Sequence, residues 1–568
     1  MSLPSPKQIR AGGKAGPFLL AWLAVAGAWA GSETAEAVTA EATLNGAPAA
    51  ALPAAVAMVD EPTLVRQGAS IGAILIRNGN VFDTEREDEN NFVFRAANKI
   101  HVRTRKQVIR RLLLFERGDP FDPDVLRESE RLLRGMPFLF DASIRPFRLY
   151  DDNTVDIEVR TRDVWTLQVG FGFSRSGGRE ETRIGVEDTN FLGTGKAILV
   201  RRTDLIDRDE QIFRYRDPNL LGSRVFLEAR FADNSDGGAE RLAVRRPFFS
   251  LASRWSAGME AADDRRIEPL YDRGEIFARF RQRTEHVSGF FGLSEGRRRR
   301  TTRRYLVGFV YEDRVFETLQ GEPTVQPADQ TFAYPWVGFQ WIHDRFIRAR
   351  QLDRLQRTED LNLGHELNAT LGRGTTAMGS DLDRTLWSVD YRYGSSPGDG
   401  QIVLLRARGS GRYEEGEGRN VTLGAQVRYF VRDFGRHQLF FSVAGDYASR
   451  LDGQNQLLLG GDTGLRGYPI RFLRGDRRLL ITVEQRFYTD WHLARLAHIG
   501  AAVFFDAGDA WFADGGGFSL KKDVGLGLRV GSSRSASAAM VHIDVAFPLD
   551  GDASIDDVQF LVTTKETF

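Results

Sequence analysis

The chain has 568 residues, enough for several domains, and it contains no cysteine. The absence of cysteine excludes disulfides, cysteine-ligated zinc and thiol catalysis, and the formal net charge of zero gives no indication of a nucleic-acid partner. The 58 glycines and 39 phenylalanines, and the lack of an apolar run after the N terminus that is long enough for a membrane helix, are typical of a transmembrane β-barrel.

The N terminus has the three parts of a secretory signal peptide: basic residues, a short apolar run and small residues at its end. The apolar run over residues 17–30 ends in Ala28-Trp29-Ala30 and is preceded by Lys7, Arg10 and Lys14. We predict a signal peptide over residues 1–30, with a single membrane anchor as the alternative. The stretch that follows is rich in alanine and has no periodicity, which predicts a flexible tether over residues 31–66.

Residues 67–163 combine strand and helix patterns and predict one small α/β domain. Alternation predicts a strand over residues 71–77, and an amphipathic apolar face predicts a helix over residues 104–116. Asp122-Pro123 supplies the cap and the first position of a second helix. Two more strands are predicted over residues 138–147 and 154–160, so that the order is β-α-α-β-β.

Residues 164–568 form a series of short alternating segments separated by turn-forming residues. The clearest segment, residues 524–530, places its apolar residues on one face and Gly525, Gly527 and Arg529 on the other. A soluble sandwich alternates too, but this segment is long for a sandwich, and lipid tolerates no unpaired sheet edge. The predicted fold class is therefore mainly β, with a C-terminal transmembrane antiparallel barrel preceded by the small domain.

Six motifs follow one another in the order found in a known family. They are residues 118–122 (GDPFD), 190–195 (NFLGTG), 217–222 (DPNLLG), 461–468 (GDTGLRGY), 504–508 (FFDAG) and 525–529 (GLGLR). The small domain resembles a POTRA domain, the polypeptide-transport-associated module, and the barrel segment resembles the Omp85 family, also called surface antigen D15. In that family the fourth motif is a loop that folds back into the barrel lumen, and its core here is Leu465, Arg466, Gly467 and Tyr468.

The resemblance implies a barrel of 16 strands in the outer membrane of a Gram-negative cell, with the POTRA domain in the periplasm. A count of the alternating runs comes closer to 20. We expect about 16 strands and assign some runs between residues 271 and 429 to extramembrane hairpins or extended loops. The resemblance also implies an assembly signal in the last strand, formed by Phe560 and the terminal Phe568.

Alternation identifies partners for the lumen loop on the barrel wall. Asp506 shares a face with small residues, and Glu484 lies opposite the apolar face of its own segment, so both point into the lumen. A guanidinium enclosed in a lumen requires anionic partners, preferably in bidentate pairing. We therefore predict that Arg466 pairs with Asp506 and Glu484, beside a wall that includes Phe504, Gly508, Gly525, Gly527 and Arg529. The alternative is a plain extracellular loop with a solvated arginine.

The resemblance implies a protein that inserts polypeptides into the outer membrane or translocates them. The POTRA domain would capture unfolded periplasmic or outer-membrane polypeptides at a sheet edge, or would serve only as a rigid spacer. Outer-membrane lipid, lipopolysaccharide and a periplasmic accessory or inner-membrane protein are further expected partners, and nucleic acid is not. The alternatives are an export pore for one dedicated substrate, a passive porin-like or structural barrel, and a surface adhesin.

No motif in the sequence indicates an enzyme. A nucleophile elbow is absent, the eight histidines lack metal-ligand spacing, and Gly193-Thr194-Gly195-Lys196 lacks the leading glycine and the following hydroxyl of a phosphate loop. We expect no catalytic residue, metal or cofactor. A basic cluster over residues 297–304 predicts a solvated hairpin tip, or else contact with lipopolysaccharide phosphates or a nucleic acid.

Overall fold

The computed structural model describes residues 60–352, 357–433, 436–515, 517–536, 540–550 and 554–565. The predicted signal peptide, the predicted tether as far as residue 59 and the terminal Phe568 lie outside these residues.

The small domain is a three-stranded sheet covered by helices. Its strands β1 (Ser70–Gly79), β2 (Leu139–Leu149) and β3 (Thr154–Asp163) lie in the order β1-β3-β2, with β1 parallel and β2 antiparallel to β3. Its helices are α1 (Glu61–Gln67), α2 (Phe92–Ile100), α3 (Lys106–Leu112) and α4 (Pro123–Arg134). Across the described residues, none of the helices is long and apolar enough to cross a membrane.

The sheet and helices enclose one apolar core, because alternate strand residues and one stripe of each long helix point inward. Ile109 of α3 and Leu133 of α4 are fully buried against Ile71, Val155 and Ile157 of the sheet. Complete burial of such a side chain contributes about 1.5–3 kcal/mol. Asp122 caps α4 as its sequence predicts, because its carboxylate accepts the Asp124 N–H at 2.8 Å.

Two helices of the small domain were not expected from the sequence. Helix α1 overlaps the end of the predicted tether. Helix α2 adds a third helix between β1 and β2, so the order from β1 onward is β-α-α-α-β-β rather than the predicted β-α-α-β-β. Helix α2 has its own cap, since the Asn91 side chain accepts the Phe94 N–H at 2.9 Å. Its apolar residues share one face, so the sequence does carry an amphipathic helix signal there, although the fold buries Phe94 and leaves Phe92 78% exposed.

The rest of the described chain is almost entirely strand. In chain order the strands are β4 (Leu167–Ser176), β5 (Arg179–Asp188), β6 (Ala197–Asp204), β7 (Asp209–Asp217), β8 (Phe226–Asn234), β9 (Gly237–Arg246), β10 (Trp255–Asp272), β11 (Glu275–Arg298), β12 (Thr301–Thr318), β13 (Gln330–His343), β14 (Phe346–Arg350), β15 (Thr358–Asn362), β16 (His365–Gly374), β17 (Arg384–Ser395), β18 (Gln401–Glu414), β19 (Glu417–Asp433), β20 (His437–Ser449), β21 (Leu457–Leu459), β22 (Leu473–Gly475), β23 (Arg477–Leu493), β24 (Ala497–Trp511), β25 (Lys521–Ser532), β26 (Met540–Pro548) and β27 (Gln559–Lys565).

Twenty of these strands close into an antiparallel barrel within the described part of the chain, which confirms the predicted barrel and corrects its size. The expectation of about 16 strands is wrong. Most of the runs between residues 271 and 429 are wall strands, and the short hairpin of β14 and β15 is the part of this interval that lies outside the wall among the described residues. The pair β21 with β22 also lies outside the wall. The alternation of each strand gave the better number, because it follows from local burial, whereas the number 16 came from the family.

The barrel wall alternates between an apolar outer face and a polar lumen face. In β25, Leu526 and Leu528 are 58% and 49% exposed, whereas Arg529 is 1% exposed. The same alternation leaves large apolar side chains exposed all around the barrel, among them Val169, Ile184, Val200, Phe213, Phe291, Val307, Val337, Leu371, Val503 and Phe560. An apolar belt of this extent suits hydrocarbon rather than water.

The small domain contacts one end of the barrel, which we call the near end; the opposite end is the far end. The Arg105 N–H donates to the Gly193 carbonyl at 3.0 Å in the turn between β5 and β6. In the turn between β7 and β8, Arg224 Nη2 donates to the Leu113 carbonyl at 2.8 Å. Both turns contain motifs that the sequence singles out, and together they hold the two ends of α3.

Candidate functional site

The long connection between β20 and β23, residues 450–476, enters the lumen from the far end. Leu465 and Tyr468 are completely buried there, in an apolar cluster with Leu459 and Phe472. The Tyr468 hydroxyl donates to the carboxylate of Asp550 and lies 3.1 Å from the carbonyl oxygen of Lys522. The loop is therefore fixed against the wall on both sides of Arg466.

Arg466 projects from this loop onto three carboxylates of the lumen wall. It binds Asp506 in bidentate fashion, with Nε 2.6 Å from Oδ2 and Nη2 3.1 Å from Oδ1. Its Nη1 donates to Glu484 at 3.0 Å and to Asp544 at 3.3 Å. The guanidinium carbon lies 3.3 Å from the ring centroid of Phe504, which adds a cation–π contact.

Two wall arginines share the carboxylates that bind Arg466. Arg486 Nε donates to Glu484 Oε1 at 2.9 Å, and Arg529 Nη2 donates to Glu484 Oε2 at 3.0 Å. Arg529 also pairs with Asp544. We call the set of three arginines and three carboxylates the lumen cluster: Arg466, Glu484, Arg486, Asp506, Arg529 and Asp544.

The lumen cluster is a buried ionic network, and its members are at most 5% exposed. Such a network gains little net stability over apolar packing, because desolvation offsets the attraction. Removal of one member leaves uncompensated buried charge, which costs about 3–5 kcal/mol. The cluster therefore specifies one position of the loop rather than simply adding stability.

Glycines on the wall make room for the cluster. A Cβ on Gly525 would lie 2.2 Å from the Phe504 ring, and a Cβ on Gly527 would lie 1.8 Å from Oδ1 of Asp544. Both positions therefore require glycine because of close approach. Gly467 of the loop lies beside Asp523 of β25, and Gly508 of β24 lies beside Leu459 of the loop.

The structure brings together most of the residues that the sequence selects for the lumen. Asp506 and Glu484 are the two partners predicted for Arg466, and Phe504 and Arg529 lie beside them. Phe560 is separate from this site, because it points outward and is 57% exposed. Sequence reasoning missed Arg486 and Asp544 as cluster members, although each lies two residues from a lumen-facing residue and alternation places it on the same face.

A second element enters the lumen from the near end. The hairpin of β14 and β15 and the residues after β14 reach the wall, where Leu352 is buried against Phe430 and Phe440. Arg486 Nη1 donates to the Leu352 carbonyl at 2.8 Å, and the Tyr488 hydroxyl donates to the Gln351 carbonyl at 2.9 Å. Arg486 therefore contacts both the near-end hairpin and the lumen cluster.

The small domain is tied to the near end by charged contacts. Arg534, in the turn between β25 and β26, pairs with Glu89 and donates to the Val81 carbonyl at 3.0 Å. Burial opposes ionisation of Glu89, but the Asp83 N–H and the Arg534 guanidinium outweigh it and lower the Glu89 pKa. Burial raises the pKa of Glu128, even though the Leu251 N–H donates to its carboxylate at 2.7 Å.

The basic cluster over residues 297–304 lies at the near end. Arg297 pairs with Asp124 of α4 at 3.0 Å and with Asp344 at 2.8 Å, and Arg304 is 7% exposed. The predicted solvated tip therefore describes only its outer part, where the Arg298 side chain is 75% exposed. The inner part of the cluster holds the small domain.

Comparison with known proteins gives one family match and several similar structures. Residues 101–162 match the POTRA family model, described as the surface antigen variable number repeat. A search of curated proteins found no match. The chain is similar to BamA from Haemophilus ducreyi lacking POTRA domains 1–3, at 13% identity over 86% of this chain and 84% of that chain, with a TM-score of 0.39.

Two further solved structures are similar to the chain. CdiB from Acinetobacter baumannii is 12% identical over 87% of this chain and 74% of that chain, with a TM-score of 0.45. CdiB from Escherichia coli is 12% identical over 86% of this chain and 75% of that chain, with a TM-score of 0.43. The POTRA match lies within the small domain, and the structure joins this domain to a closed antiparallel barrel whose lumen holds a loop.

Proposed function

We propose that this protein receives unfolded polypeptides at its POTRA domain and inserts them into the outer membrane or passes them across it. In this proposal the POTRA domain lies in the periplasm, the far end faces outward, and outer-membrane lipid and lipopolysaccharide surround the wall. A periplasmic accessory or inner-membrane partner belongs to the same proposal. The observation that carries it is the uneven closure of the barrel wall beside a POTRA domain.

The weak point of the wall is the contact between its first and last strands, which we call the seam. All ten residues of β4 pair with β5, and all seven residues of β27 pair with β26. Among the described residues, one pair, Arg175 with Val562, joins β4 to β27. Because each backbone hydrogen bond contributes a net of about 0.5–1.5 kcal/mol, the wall opens at the seam at lower cost than at its neighbouring pairs.

An open seam offers a client two strand edges inside the membrane. Hydrocarbon provides no hydrogen-bond partners, so an extended client is stabilised by pairing with those edges. The free energy for insertion comes from folding of the client, and the proposal requires no catalytic residue, metal or cofactor. Insertion through the seam is favoured over passage through the lumen, because the lumen loop and the near-end hairpin both occupy the lumen.

A disulfide across the seam tests this proposal. Antiparallel partners have Cα atoms about 4.5–5.5 Å apart, which is within disulfide range. The chain contains no cysteine, so an introduced pair has no competing thiol. Arg175→Cys with Val562→Cys is expected to abolish activity when oxidised and to restore it with reductant. The readout is the abundance of other outer-membrane proteins in cells that depend on the variant.

The matched control is Val503→Cys with Leu526→Cys, a pair between β24 and β25 that does not need to open. Full activity of the oxidised seam variant would contradict insertion through the seam. Depletion of the protein separates the other functions: loss of several outer-membrane proteins supports assembly, loss of one secreted protein indicates dedicated export, and loss of solute uptake alone indicates a porin-like barrel.

A further inference from the structure

The edge strand of the POTRA domain is already occupied on its open side. In the order β1-β3-β2, strand β2 has no strand partner on one side among the residues that the structure describes. On that side the Ile144 N–H donates to Glu130 Oε2 at 3.0 Å, and the Ala142 carbonyl accepts from Arg134 Nη1 at 3.1 Å. Pro146, the next residue on this side, has no N–H. Strand addition over residues 142–146 therefore requires Glu130 and Arg134 to move.

The barrel holds Arg134 in its blocking position. Asp360 of β15 binds it in bidentate fashion, with distances of 2.7 Å to Nε and 2.6 Å to Nη2. Glu130 pairs with Arg134 and lies 3.3 Å from Arg348 of β14. Arg134 is 9% exposed, so this charge-assisted pair is shielded from solvent and is of the stronger kind. The hairpin and helix α4 therefore keep the β2 edge closed together.

A cavity of about 460 Å³ adjoins this closed edge, between β2 and β14. Asp141, Ala142 and Ser143 line it on the β2 side. The charged side chains around it are four arginines and the single carboxylate of Asp141, the arginines being Arg134, Arg348, Arg350 and Arg432. Cavities of this size bind small ligands or short segments. Arginines outnumber carboxylates around this one even when Glu130 and Asp360, which pair with Arg134, are counted with Asp141.

We propose that the β2 edge and this cavity form a docking site for an extended acidic polypeptide segment, and that Asp360 occupies the place of the segment's carboxylate. The inference rests on the proposed function, because it names the class of client that the POTRA domain takes. A client carboxylate that replaces Asp360 lets Arg134 leave the Ala142 carbonyl while it remains paired. With a neutral segment Arg134 exchanges two carboxylate partners for one, and that one, Glu130, is shared with Arg348, so Arg134 is less well compensated than with an acidic segment.

The test uses the full-length protein in detergent and two labelled synthetic peptides. One peptide has the sequence of residues 555–565 of this chain (IDDVQFLVTTK), which alternates and is acidic at one end; in the other, asparagine replaces both aspartates. Asp360→Asn is expected to increase affinity for the acidic peptide roughly tenfold, the ratio that about 1.4 kcal/mol of lost competition gives, and to change affinity for the asparagine-substituted peptide less. Fluorescence anisotropy measures both affinities.

Hydrogen exchange of residues 140–146 reports the edge directly and does not depend on a client. Exchange is expected to be faster in Asp360→Asn than in the unmodified protein. The matched control is Asp124→Asn, which breaks a different contact between α4 and the barrel, the one with Arg297, and leaves the β2 edge closed. A second variant, Arg134→Gln, is expected to lose the preference for the acidic peptide.

Unchanged exchange in Asp360→Asn would overturn the inference, because Asp360 would not hold the edge. Faster exchange with equal affinity for both peptides would overturn the acidic specificity. Faster exchange with no binding of either peptide would contradict polypeptide capture by the POTRA domain, and hence the proposed function, while the hold of Asp360 on the edge would stand.

Discussion

The lumen cluster and the seam lie on neighbouring strands and are held together in opposite ways. Asp544 of the cluster is on β26, and β27 beside it forms the seam. Six buried charges fix the loop to the wall, whereas one register pair joins β27 to β4 among the described residues. The difference suggests a division of labour: the wall beside the seam is rigid, so that opening is confined to the seam itself.

The near end of the seam is held by a parallel bridge between Trp165 and Ser535 and, through Arg534, by the POTRA domain. The Trp165 N–H, just before β4, donates to the Arg534 carbonyl at 2.6 Å, and the Ala536 N–H donates to the Trp165 carbonyl at 3.0 Å. The Arg534 side chain is in turn paired with Glu89 of the POTRA domain. The domain that we propose to capture clients is therefore in contact with the part of the wall that we propose to open.

Removal of the Arg466 charge has the largest expected effect. Arg466→Ala leaves Asp506, Glu484 and Asp544 buried with fewer cations, which is expected to lower the free energy of unfolding by about 3–5 kcal/mol. Thermal unfolding in detergent, followed by the migration shift of the folded barrel on gels, measures this loss. Arg466→Lys keeps the charge without bidentate geometry, and its unfolding midpoint is expected to lie between those of Arg466→Ala and the unmodified protein. An unchanged midpoint for Arg466→Ala would show that the cluster does not fix the loop.

A pair of glycines sharpens the comparison between the cluster and the seam strands. Gly527→Ala places a Cβ 1.8 Å from Asp544 Oδ1 and is expected to cost about 1–3 kcal/mol through forced displacement in a packed site. Gly170→Ala on β4 meets no atom within 4 Å and is expected to be neutral or to stabilise by up to about 1 kcal/mol. Equal effects in thermal unfolding would remove the distinction between a crowded lumen wall and an open seam strand.

Most of the lumen cluster can be predicted from the sequence, because the face on which a wall residue lies follows from alternation within its own strand. Alternation assigns each wall residue to the lumen or to the lipid, and the loop motif identifies Arg466, so its pairing with Asp506 and Glu484 follows from the need for anions. Asp544 and Arg486 carry the same alternation signal. Their membership depends on strand register, which places Gly527 opposite Asp544 and so brings that carboxylate to Arg529. The register is not readable from a single strand.

Contacts at the near end could not be predicted from the sequence. Arg134 and Asp360 are 226 positions apart, and β14 and β15 have five residues each, too few for a clear alternation pattern. At β14 and β15 tertiary contacts determine the structure, and the local pattern is absent. Helix α2 is different, because its cap and its amphipathic face were both readable from the sequence.

Acidification is expected to have a moderate effect on the near-end contact between Glu89 and Arg534. The pKa of Glu89 is lowered in the folded protein, so its ionised form stabilises the folded state. This stabilisation is present above the usual glutamate pKa of about 4.3 and is lost as pH falls through the lower pKa of the folded protein. Protease sensitivity of the junction between the POTRA domain and the barrel is therefore expected to increase in acid. Glu89→Gln is expected to show the sensitive state at neutral pH and to lose this acid dependence.

Glu128 provides the control of opposite sign. Burial raises its pKa, so its contribution is fully present below the usual glutamate pKa and is lost as pH rises through the higher value in the folded protein. Glu128→Gln retains an acceptor for the Leu251 N–H without the charge, and is expected to be as resistant as the unmodified protein or more so at neutral pH. Increased protease sensitivity of Glu128→Gln would show that the ionised Glu128 carboxylate stabilises the junction, contrary to its raised pKa.

The smallest expected effect is the loss of the arginine side chain at the seam. Arg175 pairs with Glu180, and their side chains are 39% and 53% exposed, so Arg175→Ala is expected to change the free energy of unfolding by at most about 0.5 kcal/mol. The same deletion of a guanidinium would then cost several times more at Arg466 in the lumen loop than at Arg175 on β4. Thermal unfolding of both variants under one set of conditions makes the comparison. A loss at Arg175 as large as that at Arg466 would mean that side-chain contacts hold the seam closed, and opening there would no longer be the low-cost step.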